Sequence, residues 1–371
     1  MPAPVAADPT RPGGPSETTE VVCLGESMVT FLPSHPGRLA DVPAFTRTIG
    51  GAESNVACAL AAAGHPVKWI SRVGADGFGD HLVEAIGAYG VDTSAVRRDA
   101  DGRPTGIYFR TATDRSTTAH EVAYYRAGSA ASAMSPRTMD RADLFAGRVL
   151  HLSGITAALS DDCLALMREL AERRPGRPLL SFDVNHRPAL WRDGSGPAVL
   201  RDIARGADLV FVGDDEAAQL WDLHSPEAIR AALPEPAVLV VKAGADGATA
   251  FVREEGTGTG DGTGPGADIV TSVPALRVDV VAPVGAGDAF AAGFLSATLR
   301  GLPTGARLRH GHLMAAAVLT DAGDVCVPAA RAHADRLAAL DDTAWGALRL
   351  GPGWTTGEAD LPARRETVPT S

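Results

Sequence analysis

Gly285-Ala286-Gly287-Asp288-Ala289-Phe290 runs without a break into Ala291-Ala292-Gly293-Phe294, so glycines give way directly to small apolar residues. The run reads as a helix over 287–300. Glycine just ahead of a helix lets backbone approach a ligand closely, and the first N–H groups of that helix have no intrahelical acceptor. Together they make an anion site suited to phosphate. Asp288 would stand beside that anion in the first turn. Carboxylate beside phosphate is repulsive, which makes sense if the carboxylate takes a proton from an attacking hydroxyl while the helix end holds phosphoryl oxygens. Read alone, the same aspartate could simply complement the helix dipole. No Gly-x-x-x-x-Gly-Lys-Ser/Thr loop occurs in the chain.

Upstream of this helix, strand and helix patterns alternate. Strands are predicted at 20–24, 68–73, 149–152, 179–183, 209–212 and 237–242. Helices are predicted at 54–63, capped by Ser54 or Glu53, at 81–89, closed by Gly90, and at 163–173. Such alternation predicts an α/β fold with a mostly parallel central sheet and helices on both faces. Two segments break the rhythm. Residues 106–126 pattern as a hairpin around Asp114-Arg115-Ser116, and with the extended stretch 40–49 they could form a small β lid. Residues 254–268 are rich in Gly and Thr without periodicity and read as a surface loop. The expected organisation is a tail over 1–19, one domain over 20–350 with lid segments at about 40–49 and 104–127, and a second polar tail over 351–371.

Composition sets limits on partners. The 371 residues carry a formal net charge of -11, which argues against nucleic acid or an anionic membrane as partner. An anionic substrate must then be met by local basic residues, nearly all of them arginine; the lysines are Lys68 and Lys242. The four cysteines, Cys23, Cys58, Cys163 and Cys326, form no Cys-x-x-Cys pair and suggest neither a disulfide framework nor zinc. No signal peptide or membrane-length apolar run is apparent, so a cytoplasmic protein is expected.

A second motif, Gly50-Gly51-Ala52-Glu53-Ser54-Asn55, opens the first helix. Gly51 would let backbone face a ligand and Asn55 offers both donor and acceptor to a hydroxyl; a plain turn with a helix cap would look the same. With Gly74-Ala75-Asp76-Gly77-Phe78-Gly79 between them, the two motifs resemble the signatures of the PfkB (ribokinase-like) carbohydrate kinases, from about Val21 to about Leu340. Within that family, Gly25-Glu26-Ser27-Met28, the stretch Tyr124 to Ala130, the stretch His151 to Ile155 and Asp183-Val184-Asn185-His186-Arg187-Pro188-Ala189-Leu190-Trp191 resemble 2-keto-3-deoxygluconate kinases.

The resemblance implies a three-layer ribokinase-like fold and transfer of the ATP γ-phosphoryl group, with Mg²⁺, to a primary sugar hydroxyl. Asp288 would be the base and Gly285, Ala286 and Gly287 the anion hole. Lys242, Gly244 and Gly247 would lie at the nucleotide, although a strand-end role for Lys242 fits equally. Glu216 would help arrange Mg²⁺ through water, with no direct protein ligand to the metal. On the sugar side it implies Gly51, Asn55, Tyr108, Tyr124, Ile155 and Asp324, with Arg126 and Arg187 pairing a substrate carboxylate. Three features depart from the family pattern. Ala282 replaces an aspartate that helps hold a monovalent cation, which makes cation activation doubtful. Gly213 replaces the asparagine of an Asn-x-x-Glu motif, and the 254–268 loop is long for its position. Fructokinase or another sugar or sugar-acid kinase is the enzymatic alternative, and a non-catalytic sugar-binding protein on the same fold is the other. Exposed edges of the small lid sheet could pair subunits into a homo-oligomer.

Overall fold

The computed structural model describes residues 18–35, 37–110, 122–254, 267–321, 323, 325 and 327–356. The chain divides into two compact units, one running to Val210 with Leu233–Pro236 added, the other comprising Phe211–Ala232 and the chain from Ala237. The first unit contains β1 (Val21–Leu24), β2 (Met28–Pro33), β3 (Phe45–Gly50), α1 (Ala52–Ala62), β4 (Val67–Ile70), β5 (Arg72–Gly74), α2 (Gly77–Gly87), β6 (Arg97–Asp99), β7 (Ile107–Arg110), β8 (Val122–Tyr125), α3 (Arg141–Leu144), β9 (Val149–Ser153), α4 (Gly154–Ala157), α5 (Asp161–Ala171), β10 (Leu179–Asp183) and α6 (Gly196–Gly206). β11 (Leu209–Gly213) carries the chain into the second unit.

Strands β10, β9, β1 and β4 lie side by side and parallel, with Val21 opposite both Val67 and Val149. Every residue of β1, Val-Val-Cys-Leu, has zero exposure, as a parallel strand covered on both faces requires. Helix α1 packs on β1, β4 and β9. The fold class is α/β with a large, mostly parallel sheet, as the alternation predicted.

A separate four-stranded sheet has the order β3-β2-β7-β8. The predicted hairpin is present as the antiparallel pair β7/β8, and β3 occupies the latter half of the predicted extended stretch. The central strand β2 was not predicted. The register sets Thr30, Tyr108 and Tyr124 in one row and Phe31, Phe109 and Ala123 in the next, so the two rows face opposite ways. One face is aromatic: Phe31 stacks on Phe109 at 4.7 Å and Phe45 meets Phe109 edge-on at 5.1 Å. The turn at Asp114-Arg115-Ser116, most of the 254–268 loop, Asp324, Cys326 and most of both predicted tails lie outside the described residues.

Several boundaries differ from the sequence reading. The strand predicted over 68–73 is two strands: β4 ends at Ile70, and β5 pairs with β6, where Arg72 donates to the fully buried Asp99 at 2.7 Å. Helix α1 starts at Ala52 behind Gly51, without the side-chain cap expected from Ser54 or Glu53. Helix α2 starts at Gly77, earlier than predicted, because Asp76 caps it by accepting from the Gly79 N–H at 2.8 Å. Asp76 also accepts from the N–H and hydroxyl of Thr105. Burial works against its charge, but these hydrogen bonds outweigh burial and hold its pKa below the ordinary carboxylate value. The glycine-rich stretch around Asp76 is therefore accounted for by helix capping.

The second unit holds α7 (Asp214–Trp221), α8 (Pro226–Ala232), β12 (Val238–Lys242), β13 (Ala248–Arg253), β14 (Asp268–Val273), β15 (Arg277–Val278), α9 (Ala286–Leu299), α10 (Thr304–Leu319), α11 (Arg331–Ala338), α12 (Asp342–Ala347) and β16 (Arg349–Leu350). β12, β13 and β14 are antiparallel, and β15 pairs parallel with β16. Small residues let α9 and α10 approach until a Cβ at Gly293 would lie 2.3 Å from the His310 carbonyl oxygen. Among the described residues, no helix is long and apolar enough to cross a membrane.

Buried on α10, His312 sets Nε2 3.3 Å from the Val273 carbonyl and its ring edge-on to Phe290. Burial pushes its pKa down to about 4, against the weaker opposing effect of that carbonyl. The unfolded chain therefore binds the proton first as pH falls, so this site's contribution is full above pH ~6.5 and is lost between ~6.5 and ~4. At 1.36 kcal/mol per pKa unit the loss amounts to about 3 kcal/mol. Urea unfolding of the His312→Gln protein should lose correspondingly less stability across that window than the parent. Parallel pH profiles for the two proteins would refute this assignment.

Candidate active site

The described sugar-side candidates belong to the first unit, and Asp324 lies outside the described residues. Gly51 links β3 to α1, and a Cβ there would lie 2.4 Å from the Glu26 carbonyl oxygen. The need for glycine at this position therefore comes at least partly from Glu26. One turn on, Asn55 is 6% exposed and its N–H donates to the Gly51 carbonyl at 2.8 Å. Tyr108 and Tyr124 pair across β7 and β8 with ring centroids 5.3 Å apart; Tyr108 is buried and Tyr124 is half exposed. Arg126 reaches under Tyr124, 6.0 Å from its ring centroid.

Arg126 is ion-paired within its own unit. Its Nε donates to Glu26 Oε2 at 2.7 Å, and its Nη2 contacts the same oxygen. The other carboxylate oxygen of Glu26 accepts from the Ser129 hydroxyl. Glu26 is 2% exposed, so the pair is internal and the positive charge is already matched. Arg187 is exposed, at the head of a short 3-10 turn after β10, and its Nη1 donates to the His186 carbonyl at 2.9 Å. Ile155 lies in the first turn of α4, where its N–H donates to the Ser153 hydroxyl at 3.3 Å.

Three residues of this unit were missed. Glu26 lay within a quoted motif without a role. Asn185, 6% exposed, has φ 40, a left-handed conformation that asparagine tolerates better than most residues and that stores strain. Glu53 had been read as a helix cap. Its Oε1 instead accepts from the Ser153 N–H at 3.1 Å, the Ser153 hydroxyl at 2.8 Å and the Thr156 hydroxyl at 2.7 Å. Burial raises the Glu53 pKa, with the Thr156 and Ser153 bonds opposing.

The phosphate-side candidates belong to the second unit. Gly285 precedes α9 with φ 82, a left-handed turn that turns the chain into the helix and favours glycine. Ala286, Gly287 and Asp288 form the first turn, whose N–H groups lack helical acceptors. At Gly287, among the described residues outside its own stretch of helix, a Cβ would meet within 4 Å only the Lys242 ammonium, at 3.5 Å. The structure thus brings the end of β12 to the start of α9 and sets a cation beside the glycine cradle. Gly244 and Gly247 form the β12–β13 turn; Gly247 has φ 131 and packs against the Val273 carbonyl, while Gly244 is exposed. Glu216, in the first turn of α7, accepts from the Gly213 N–H at 2.9 Å. With glycine at 213, the Glu216 N–H is met by Asp215 Oδ1 at 2.9 Å, and a Cβ at 213 would lie 2.6 Å from that oxygen. The missing asparagine is thus a coherent local rearrangement.

A family model for the pfkB family of carbohydrate kinases matches residues 18–330. A 2-dehydro-3-deoxygluconokinase of Bacillus subtilis is 34% identical over 312 residues, 82% of this chain and 91% of that protein. The crystal structure of a PfkB protein from Polaromonas sp. superposes with a TM-score of 0.72 at 34% identity, covering 85% of this chain and 99% of that one. A sugar kinase of Pyrococcus horikoshii in complex with ATP shares the fold with a TM-score of 0.69 at 23% identity, over 83% of this chain and 95% of its own. The chain belongs to the pfkB family of carbohydrate kinases.

Proposed function

We propose that this kinase transfers the γ-phosphoryl group of ATP to the primary hydroxyl of 2-keto-3-deoxygluconate (2-dehydro-3-deoxygluconate), with Asp288 as general base. The observation that carries the reading is Asp288 in the first turn of α9, behind a left-handed Gly285 and a Gly287 whose open side faces the Lys242 ammonium. Glycine backbone, free helix N–H groups and an ammonium fit a polyphosphate. Bound there, Mg-ATP supplies the transferable phosphoryl group, with charge on its oxygens neutralised by the metal. The N–H groups of Gly285, Ala286 and Gly287 donate to phosphoryl oxygens, and Lys242, Gly244 and Gly247 hold the nucleotide. Asp288 takes the proton of the attacking hydroxyl. Glu216, aimed by the Gly213 N–H, orders water about the cation.

On the sugar side, Gly51, Asn55, Tyr108, Tyr124 and Ile155 address hydroxyls and ring, and Arg187 and Arg126 pair the substrate carboxylate. The sheet β3-β2-β7-β8 serves as a lid that keeps water from the reacting centre. The relative's name supports the keto-deoxy acid as acceptor. One observation favours a second reading: Arg126 is already neutralised by Glu26, which suits a neutral sugar such as fructose.

Four measurements test the reading. Asp288→Asn should lower turnover roughly 10²–10⁴-fold, and near-full activity would remove the residue from its role. ADP release should be strongest on 2-keto-3-deoxygluconate among that acid, its galacto epimer, fructose, ribose and gluconate. Arg187→Ala should then raise KM for the acid about 10-fold or more through loss of a charge-assisted pair, with little change for a neutral sugar. Preference for fructose, with indifference to Arg187, would establish the second reading. Finally, Ala282 offers no carboxylate to a monovalent cation, so rates in K⁺ and in a large organic cation should agree within about twofold, whereas retention of a strong cation site would separate them by far more.

A further inference from the structure

Glu53 has zero exposed surface in the first turn of α1, three residues beyond the end of lid strand β3 on Gly50. Its side chain leaves its own helix and crosses to the end of β9. There Oε1 takes all three donors, the N–H and hydroxyl of Ser153 and the hydroxyl of Thr156. No hydrogen-bond partner meets Oε2 among the described residues. The carboxyl group packs on Gly25, where a Cβ would lie 2.1 Å from Cδ and 2.2 Å from Oε2. Gly25 is therefore glycine because this carboxyl group occupies the space a side chain would need.

Such an arrangement is a poor way to build a core. A buried carboxyl with half its lone pairs unmet costs stability that an apolar side chain of the same volume would not. What the polar group adds is direction: three donors converging on one oxygen fix two segments to within a few tenths of an ångström, which apolar contact does not. The two segments are informative. One is the turn carrying Gly51 and Asn55; the other is the β9–α4 turn, in which Ile155 lies between the donors Ser153 and Thr156.

We propose that Glu53 is a positioning residue for the sugar, setting the Gly51–Asn55 turn against Ile155 through Ser153 and Thr156. The proposal rests on the sugar-kinase reading of those contacts. Glu53 touches no reacting atom; its effect is exerted on where the acceptor hydroxyl is held.

Glu53→Met fills the same volume and removes the acceptor. It should raise the sugar KM about tenfold or more while the ATP KM stays within about twofold, because only one substrate's contacts are displaced. Glu53→Gln, which keeps Oε1, should restore most of the difference. Thr156→Val and Gly25→Ala disturb the same carboxyl from its two sides and should shift the sugar KM in the same direction. They also stand as the test if Glu53→Met does not fold. Thr156→Val added to Glu53→Met should add little. A sugar KM within twofold of the parent in these variants, or sugar and ATP KM rising together with loss of stability, would overturn the proposal and leave a plain structural brace. Each ratio is read with the sugar the parent phosphorylates fastest, so a wrong substrate assignment shows in the parent alone. A parent that phosphorylates no sugar would overturn both readings.

Discussion

Parallel strands cannot be joined by tight turns, so each must be left at its C-terminal end and re-entered through a crossover. That constraint decides where this chain can put chemistry. In the first unit, β1 leads into Gly25-Glu26, β9 into Ser153-Gly154-Ile155, and β10 into Asn185 and Arg187. In the second, β11 leads into the Gly213–Glu216 turn and β12 ends on Lys242. Every one of these strand ends carries a candidate residue or the partner of one, as expected where ligands gather outside the carboxyl ends of strands. The buried strands, such as Val21 to Leu24, supply rigidity and no chemistry of their own.

The buried carboxylates follow the same logic. Glu26 and Glu53 flank the first crossover and neither is solvated. Glu26 is balanced by Arg126 and Ser129, and so ties the loop after β1 to the segment after β8. Glu53 is balanced only by neutral donors, which leaves its charge dearer to bury and its geometry more specific. A core built for stability alone would have used neither. Their shared consequence is that β2, β3 and β8 of the small sheet are each fastened, within a few residues of where they end or begin, to the turns that carry the sugar-side candidates.

The fold was legible because its signals are short range. Continuous apolar strands, a left-handed glycine ahead of a small-residue helix and the 106–126 hairpin all declare themselves within a dozen residues. What escaped was long range. β2 follows β1 after only three residues, and only its pairing with β7 makes it part of another sheet. Glu53 looks like any first-turn acid until Ser153, a hundred residues away, is known to be its partner. The pairing of Arg126 with Glu26, equally distant in sequence, was likewise invisible in the local pattern. A helix N-terminus states its polarity locally, whereas side chains gathered from separate strand ends have partners that sequence spacing does not reveal.

The departure at Ala282 can be understood on the same terms. A loop that must hold its N–H groups toward phosphate needs something to brace it, and a carboxylate-bound cation is one means. Here the loop is braced by the chain itself. The Val281 N–H donates to the Leu319 carbonyl at 2.7 Å, at the last turn of α10, and the Ala282 N–H lies 3.4 Å from the same oxygen. Three residues upstream of Ala282, the Asp279 N–H donates to Leu350 at 2.9 Å, and the Asp279 carboxylate is paired with Arg349 at 2.6 Å. The pairing of β15 with β16 thus fastens the approach to the start of α9 to the segment that follows α12. Ala282 itself is 4% exposed, so its methyl group occupies protein interior. An aspartate there would need a counter-charge, while an alanine needs only the backbone bonds already made.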